Sequence, residues 1–426
     1  MLSALLNAFR VGELRNKILF TLGIIALYRL GCYIPVPGVP IGALTNSFQT
    51  AGADGSNASL LMLNLFSGNA LANFSVLSLG IMPYITASII MQLMQGVIPA
   101  LQRYAHEGET GQKKITQITR YVCLGLGLIN AIGYLFLFQS QEYGVRFSDA
   151  IPGALTSVII VITLVAGVAF IMWMGELITQ RGVGNGMSLI IFANVVATVP
   201  GALYDSSQTM GAWFTVVVLI IVLIVIPLIV LIERAQRRIP VNYAKRVVGR
   251  KVMGGQSTYI PLKVNGAGVI PIIFASSLLY FPAQIAVFFG VDWLTWFSNQ
   301  LSQGPLNWVL DFALIVFFCF FYTSMVFNPD DTADNLRKQG GFIPGVRPGH
   351  NTVQYIKDIL HRITLPGGIY IALIAVIPSI VFYFTSDSLI KAFGGTSILI
   401  MVGVALDTMS KVEAQLKQHH YEGFFK

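Results

Sequence analysis

Long apolar segments alternate with shorter polar stretches along most of this chain, and the alternation predicts its architecture. An α-helix needs about 20 apolar residues to cross a bilayer, and each segment is close to that length. The segments lie at about 18–34, 75–95, 118–138, 153–173, 185–203, 213–232, 267–289, 307–327, 367–385 and 395–413. We therefore predict an all-α polytopic membrane protein with ten transmembrane helices.

A shorter apolar run precedes the second predicted span and does not fit this pattern. Residues 59–74 read SLLMLNLFSGNALANF, so the run ends at a Ser-Gly-Asn sequence after about two helical turns. A helix of this length can dip into the membrane and stop, provided that protein or water surrounds its backbone. It can equally lie on the outer surface as an amphipathic helix, and the pattern leaves both interpretations open. The apolar residues that we single out are Leu60, Leu61, Leu63 and Phe66.

The ten predicted spans divide into five and five around a connection at 204–212. We therefore expect an N-terminal half, residues 1–203, and a C-terminal half, residues 213–426. Because five is an odd number, the second half would be inserted upside down relative to the first, as in many membrane transport proteins. This prediction rests on the count of spans, since no residue-by-residue repeat is visible.

Composition and charge agree with a membrane protein and orient it. Of the 426 residues, 55% are apolar and only 11% are charged, and the mean hydropathy is +0.71, whereas soluble domains carry about 25% charged residues. The net charge of +8 does not by itself indicate nucleic acid, because cytoplasmic loops of membrane proteins are rich in Lys and Arg. All but Arg29, Arg146 and Lys391 of the 27 basic residues fall on one side of the predicted membrane. Both termini are therefore expected in the cytoplasm.

Two of the predicted cytoplasmic loops, 233–263 and 330–363, are long and basic. Basic loops of this kind can bind anionic lipid, RNA or an acidic protein face. A loop that only connects two spans needs a few residues, so their length and their Gly and Pro content favour a docking platform for a large partner. Between Tyr243 and Lys251 basic and apolar residues alternate, which suits either a hairpin or a surface helix.

The usual signatures of a catalytic or nucleotide-binding site are missing from the sequence. Gly182–Gly186 (GVGNG) has no P-loop lysine, and we interpret it as a turn between the fourth and fifth spans. The five histidines fall in predicted cytoplasmic loops or in the tail, and the three cysteines, Cys32, Cys123 and Cys319, lack metal-ligand spacing. We therefore expect neither an enzyme nor a cofactor or metal site.

Charged side chains inside the spans bear on the class of transport. Ion-driven transporters keep such groups for function because they are costly in a membrane. Those that we single out in or beside the spans are Arg29, Glu176 and Asp407. So few candidates weaken the hypothesis of an ion-coupled transporter of small solutes, which the ten spans would otherwise favour. A membrane scaffold without a conduit is a third hypothesis.

The second span also offers a face of branched apolar side chains. Ile81 and Ile85 are four residues apart and share one helix face, and Pro83 between them permits a kink. Polar residues in otherwise apolar helices can hydrogen-bond across a seam between helices. Those that we single out are Thr86, Gln92 and Asn265.

Seven stretches carry motifs of a known family, and they extend over essentially the whole chain. They are GIMPYITASIIMQL (Gly80–Leu93), EGETGQKKITQITRY (Glu107–Tyr121), MWMGELITQRGVGNGMSLIIFA (Met172–Ala193), ERAQRRIPVNYAKR (Glu233–Arg246), QSTYIPLKVNGAGVIPIIFASS (Gln256–Ser277), FFCFFYTSMVFNPDDTADNLRKQGGFIPGVRPG (Phe317–Gly349) and GGTSILIMVGVALDT (Gly394–Thr408). On these motifs the chain resembles the SecY family of protein-conducting channels.

The resemblance implies a passive channel that secretes unfolded polypeptides across a membrane and inserts membrane proteins laterally into it. Two pseudo-symmetric halves would clasp an hourglass-shaped pore and hinge near 204–212. The short helix at about 59–73 would be a plug that blocks the outer funnel, with Leu60, Leu61, Leu63 and Phe66 as its apolar residues. The residues that would form the pore ring are Ile81, Ile85, Ile191, Ile273 and Ile400.

The resemblance also implies a lateral gate and a set of partners. The gate would lie between spans two and three on one side and spans seven and eight on the other, with Thr86, Gln92 and Asn265 in its polar seam. The two basic loops would dock the SecA motor or the ribosome through Lys245, Arg246, Arg250, Lys251 and Arg347. The other implied partners are the small membrane subunits SecE and SecG, signal sequences, unfolded polypeptides and anionic lipids. The implied location is a bacterial cell membrane.

Overall fold

The computed structural model describes residue 9, residues 11–39, residue 64, and residues 67–139, 153–243, 246–248, 251–253, 258–266, 268–289, 305–385 and 394–422. Helices dominate this part of the chain, and ten long ones each overlap one of the predicted spans. The helices are α1 Gly12–Gly31, α2 Met82–Val97, α3 Pro99–His106, α4 Glu109–Gln139, α5 Gly153–Arg181, α6 Gly186–Thr209, α7 Ala212–Glu233, α8 Ile270–Phe289, α9 Pro305–Val326, α10 Pro329–Lys338, α11 His350–Thr385 and α12 Gly395–Glu422.

The helical content and the apolar helices confirm a multi-pass helical membrane protein. Within the described ranges, seven helical segments are each long and apolar enough to cross a bilayer, or eight if the bent pair α2 and α3 forms one span. The helix α1 is of spanning length but carries charged residues near both ends. Ten spans are thus consistent with the structure, and the exact number stays a prediction.

The second span begins later than its hydropathy predicts. Residues 75–81 form turns, and α2 begins at Met82 with Pro83 in its first turn. A proline is favoured there because its missing N–H would have no partner in the first turn. Pro83 therefore starts the helix and does not kink it, which corrects the sequence-based interpretation. The sharp change of direction comes instead at Ile98, where α2 and α3 meet at 103° before Pro99.

The connection between the two predicted halves is shorter than expected. The polar residues 204–209 continue α6 beyond the apolar stretch, so that only Met210 and Gly211 separate α6 from α7. Gly211 has a φ of 87°, a backbone conformation that suits glycine. The buried hydroxyl oxygens of Ser206 and Thr215 lie 3.4 Å apart across this turn. The predicted loop at 204–212 is therefore mostly helix, because a helix can continue after its apolar run ends.

One hydrophobic core runs through the membrane-spanning part and includes residues of all the long helices. Helices α4 and α5 pack together on one side, and α9 packs against α8 and α11 on the other. The two sets meet where α2 and α4 contact α8 and where α6 contacts α12. At Gly167 of α5 a Cβ atom would lie 1.9 Å from the carbonyl oxygen of Val76. This glycine lets the turns before α2 pack directly against α5.

The two long basic loops fold into one small unit outside the helical core. Strands β1 Gln236–Tyr243 and β4 Thr258–Lys263 are antiparallel, and β5 Gly341–Phe342 of the second loop pairs with the other edge of β1. Strands β2 Arg246–Val248 and β3 Lys251–Met253 pair as a hairpin, which decides between the two interpretations of this stretch. The buried core of this unit comprises Ile239, Val241, Leu262, Leu336, Ile343, Ile356 and Ile359. We call it the cytoplasmic unit, after the side of the membrane that the distribution of Lys and Arg predicts for it.

Candidate functional site

Five isoleucines from both predicted halves are buried in the same hydrophobic core. Ile81 precedes the first turn of α2 and Ile85 lies one turn into it, whereas the other three come from α6, α8 and α12. Their exposed fractions are 1% to 7%. Branched apolar side chains of this kind make no directional bonds. The five are Ile81, Ile85, Ile191, Ile273 and Ile400.

Residues 67–81 form a compact series of turns beside this core. Asn64 organises the series: its carbonyl oxygen accepts from the Asn69 amide at 3.0 Å and from the Ser67 hydroxyl at 2.9 Å. Its side-chain oxygen accepts from the amide of Ala72 at 3.0 Å. Side chains of this segment enter the core, among them Ala70, Leu71, Phe74 and Leu77. The apolar residues predicted for the plug, Leu60, Leu61, Leu63 and Phe66, lie outside the described residues.

A charged side chain attaches these turns to two helices. Arg29, in the last turn of α1, donates from Nη1 to the carbonyl oxygen of Gly68 at 2.9 Å. Its Nη2 donates to the carbonyl oxygen of Ala193 in α6. Arg29 was among the charged residues that the sequence singled out, but its spacing from both acceptors, 39 and 164 residues, hides these contacts from a reading of the sequence.

In the described part of the chain, the polar residues predicted for the lateral gate hydrogen-bond to residues of their own predicted half. The Thr86 hydroxyl donates to the carbonyl oxygen of Met82 at 3.0 Å, as a threonine in a helix commonly does. The Gln92 side-chain nitrogen lies 3.5 Å from the hydroxyl of Ser88. Asn265 binds Glu233 at the end of α7 and Gly268. Their role in a lateral gate stays a prediction.

A cavity of about 460 Å³ with a mixed polar and apolar lining opens between the two predicted halves, on the predicted cytoplasmic side. Asn185 and Ser188 at the start of α6 lie on its wall, and the end of α7, the segment 263–270 that leads into α8, the end of α9 and α12 contribute the rest. Asp407 and Lys411 of α12 form an ion pair at 2.8 Å. Because charges of both signs line the cavity, it presents no strong preference for a ligand of one sign. Its charged lining residues are Glu233, Arg234, Lys263, Asp407, Lys411 and Glu413.

The predicted docking residues fall on the cytoplasmic unit. Arg347 is exposed in the turn between β5 and α11, and its carbonyl oxygen accepts from the Thr352 hydroxyl at 3.0 Å. Arg246 and Lys251 occupy opposite strands of the hairpin, at the first position of β2 and of β3. Lys245 and Arg250 lie outside the described residues.

A second cavity, of about 690 Å³, lies between α9, α10 and α11 and adjoins the cytoplasmic unit.

Two acidic residues that the sequence did not single out are removed from solvent to different degrees: Asp311 is buried and Glu233 is half-buried. Asp311 lies in α9 with 8% of its surface exposed, and Glu233 closes α7. A single acid hardly changes the average hydropathy of a span, so only attention to each charged position could have found Asp311.

Glu176, which the sequence did single out, forms an ion pair with Arg120 of α4. Across the described ranges, no group of three His, Cys, Asp or Glu residues is placed to bind a metal.

Together, the apolar helices and their shared buried core define the class: a polytopic helical membrane protein, with a cavity between its two predicted halves. A family model described as SecY matches residues 75–409. The protein translocase subunit SecY of Streptomyces scabiei is 46% identical over 443 residues, with 100% of both chains covered. That of Mycobacterium tuberculosis strain H37Rv is 45% identical over 444 residues, again with 100% of both covered. The chain belongs to the SecY family of protein translocase subunits.

Solved structures of the same fold agree with this assignment. A structure described as a protein conducting channel covers 94% of this chain and 92% of its own, with a TM-score of 0.64 at 18% identity. Sec61 in the canine ribosome-channel complex covers the same shares, with a TM-score of 0.61 at 16% identity. At these identities the likeness establishes the fold.

Proposed function

We propose that the chain forms a passive conduit through which unfolded polypeptides cross the membrane. The observation that carries this proposal is the burial of five isoleucines from both halves in one core. A ring of branched apolar side chains can exclude water and ions when closed. It can also fit around a moving chain of any sequence, since it offers no directional bond that would retain a particular side chain.

The same arrangement supports lateral release into the lipid. Helices α2 and α4 of one half contact α8 of the other, and these contacts are the predicted gate. The described hydrogen bonds of Thr86, Gln92 and Asn265 are made within their own halves, so opening the seam would not break them. A segment of about 20 apolar residues could then leave for the bilayer.

The energy for movement would come from a partner, and the chain itself would catalyse no reaction. The cytoplasmic unit brings the two basic loops together on one surface with exposed Arg347, which suits an acidic protein face or RNA. We infer that SecA or the ribosome docks there, and the relative Sec61 has been solved in a ribosome-channel complex. SecE and SecG would complete the membrane part. Signal sequences and anionic lipids would be further ligands.

We further propose that the membrane is a bacterial cell membrane and that both termini are cytoplasmic, as the Lys and Arg distribution indicates. The halves would pivot at Met210 and Gly211, which replace the longer loop expected at 204–212. Residues 59–73 would act as the plug.

The proposal is tested by reconstitution. The full chain, purified with its small subunits, is placed in liposomes together with a motor and ATP. We expect a polypeptide that carries a signal sequence to become protected from added protease, whereas the same polypeptide without the signal stays accessible. Failure to move it would contradict the proposal. Saturable uptake of a small solute coupled to a proton or sodium gradient would instead support the transporter hypothesis.

A further inference from the structure

The guanidinium of Arg29 connects three separate parts of the fold. It extends from the last turn of α1 and binds two backbone carbonyl oxygens, that of Gly68 at 2.9 Å and that of Ala193 in α6. The planar guanidinium presents several N–H groups in a fixed fork, so one side chain can hold two acceptors in a defined relation. A lysine ammonium in the same place would act as a compact point charge.

The charge of Arg29 is held by neutral acceptors. In the part of the chain that the structure describes, the ion pairs of less than 4.0 Å are formed by other residues, and Arg29 has no carboxylate within that distance. Charged side chains at membrane depth are costly and usually functional. Hydrogen bonds from a charged donor to carbonyl oxygens stabilise the contact, yet they can be exchanged for bonds to water when the site opens. The contact of Arg29 can therefore hold the turn at Gly68 against α6 and still break when water reaches the guanidinium.

Gly68 is shaped for this contact. Its φ of 65° lies in the left-handed region, and a Cβ atom at this position would lie 2.6 Å from the Asn194 side-chain oxygen and 2.7 Å from Arg29 Nη1. Any other residue would therefore push the turn away from α1 and α6. The absence of a side chain is what allows the backbone of the turn to reach the guanidinium.

The contact acts on the segment beside the apolar core. Gly68 begins the turns that carry Leu71 and Phe74 into the core. Ala193 lies two residues beyond Ile191, one of the five buried isoleucines, on the same helix. Holding Gly68 against α6 therefore holds the turns against the helix that supplies part of the predicted ring.

We propose that Arg29 is a positioning residue that latches residues 67–74 to α1 and α6 in the closed channel, and that loss of its bonds to Gly68 and Ala193 opens the resting channel to ions. The inference rests on the proposed function. We call this contact the Arg29 latch.

The experiment measures the resting ion current of the full chain, purified with its small subunits, in planar bilayers. Arg29→Gln removes the donors, and Gly68→Ala disturbs the contact from the other side. We expect each to raise the resting current about tenfold, which corresponds to about 1.4 kcal/mol. Arg29→Lys should give an intermediate current. The controls are Arg181→Gln, at an exposed helix end, and Gly108→Ala, where φ is 72° and the space for a Cβ is open. Both should conduct as the parent does.

A second readout follows the turns themselves. Amide hydrogen exchange at residues 69–76 should become faster in Arg29→Gln and Gly68→Ala, whereas exchange in the cytoplasmic unit stays unchanged. Because both substitutions break one contact, the double variant should conduct no more than the leakier single variant. Unchanged current and exchange in both single variants, or additive effects in the double variant, would overturn the latch.

Polypeptide transport in the same preparation separates the two proposals. If the parent protein transports the signal-bearing polypeptide but the variants show neither leak nor faster exchange, only the latch is wrong. If the parent does not transport it while the variants still show faster exchange at residues 69–76, the contact stands and the proposed function is wrong.

Discussion

The side-chain amide of Asn265 donates hydrogen bonds to both carboxylate oxygens of Glu233, at 2.8 and 3.1 Å. The same side chain binds Gly268 twice, donating to its carbonyl oxygen at 3.1 Å and accepting from its amide at 2.9 Å. Asn265 is 6% exposed, whereas Glu233 is half-buried. The cluster joins the end of α7 to the turn that precedes α8, on the wall of the cavity of about 460 Å³.

Replacing Asn265 tests how much this cluster stabilises the fold. Asn265→Ala leaves the half-buried carboxylate of Glu233 with fewer donors, and hydrogen bonds to a charged group contribute about 1.5–3 kcal/mol each. We expect a clear fall in the free energy of unfolding, and a larger one for Asn265→Asp, which sets a second carboxylate beside Glu233. Thermal unfolding in detergent measures both.

The matched control for this cluster is Asn335→Ala, on an exposed position of α10. It should change the unfolding temperature little, because surface substitutions usually alter stability by less than about 0.5 kcal/mol. Equal unfolding temperatures for Asn265→Ala, Asn265→Asp and the parent protein would show that the cluster contributes nothing to stability.

The buried isoleucines predict a second outcome. Ile191→Gly and Ile400→Gly each remove a branched side chain from the predicted ring, and we expect the resting ion current to rise because water can then enter the constriction. The matched control is Ile220→Gly, which imposes a similar backbone cost on the lipid-facing side of α7, where Ile220 is 52% exposed. An unaltered single-channel record for both ring variants would count against ring membership.

Docking on the cytoplasmic unit predicts a third outcome. Arg347→Glu reverses a charge on an exposed turn without removing a buried contact of its side chain, so the fold should stay intact. We expect weaker binding of the motor or the ribosome and slower partner-dependent transport, with a smaller loss at high salt because screening weakens exposed charges. Lys417→Glu, exposed near the end of α12, is the matched charge reversal and should leave both rates unchanged. Parent-like binding by Arg347→Glu would exclude Arg347 from the docking surface.

The ion pair between Arg120 of α4 and Glu176 of α5 predicts a fourth outcome. Its side chains are 34% and 16% exposed, so its contribution should lie between those of exposed and buried pairs, at about 2 kcal/mol. A double-mutant cycle with Arg120→Gln and Glu176→Gln, followed by thermal unfolding, measures the coupling. The exposed pair of Lys114 and Glu107, whose side chains are 51% and 45% exposed, is the reference and should couple by less than about 1 kcal/mol. Equal coupling in the two pairs would contradict the prediction.

The sequence alone determined the class of the protein and the approximate position of its long helices. Hydropathy is a sum over neighbouring residues, so it identifies each apolar segment without knowledge of the rest of the chain. The alternation between Tyr243 and Lys251 restricted that stretch to two structures, of which the hairpin is present. The motifs around Ile81, Ile191 and Ile273 carried the resemblance to the SecY family that the comparisons confirm.

Tertiary structure decided where the elements end and which of them meet. Hydropathy placed the second span at residue 75, whereas the close packing of Val76 against Gly167 and the position of Pro83 delay the helix to Met82. The pairing of β1 with β5 joins two loops that are about a hundred residues apart. Such contacts depend on how distant segments pack and leave no periodic signal in either segment.

The same reason explains why the contacts of single polar residues had to come from the fold. Arg29 and Asn265 could be singled out from the sequence because polar groups are unusual near apolar spans. Their partners could not, since a guanidinium or an amide accepts many different oxygens and the choice among them depends on packing. Gly68 becomes a partner of Arg29, and Glu233 a partner of Asn265, only because the packing of the helices brings each pair within hydrogen-bonding distance.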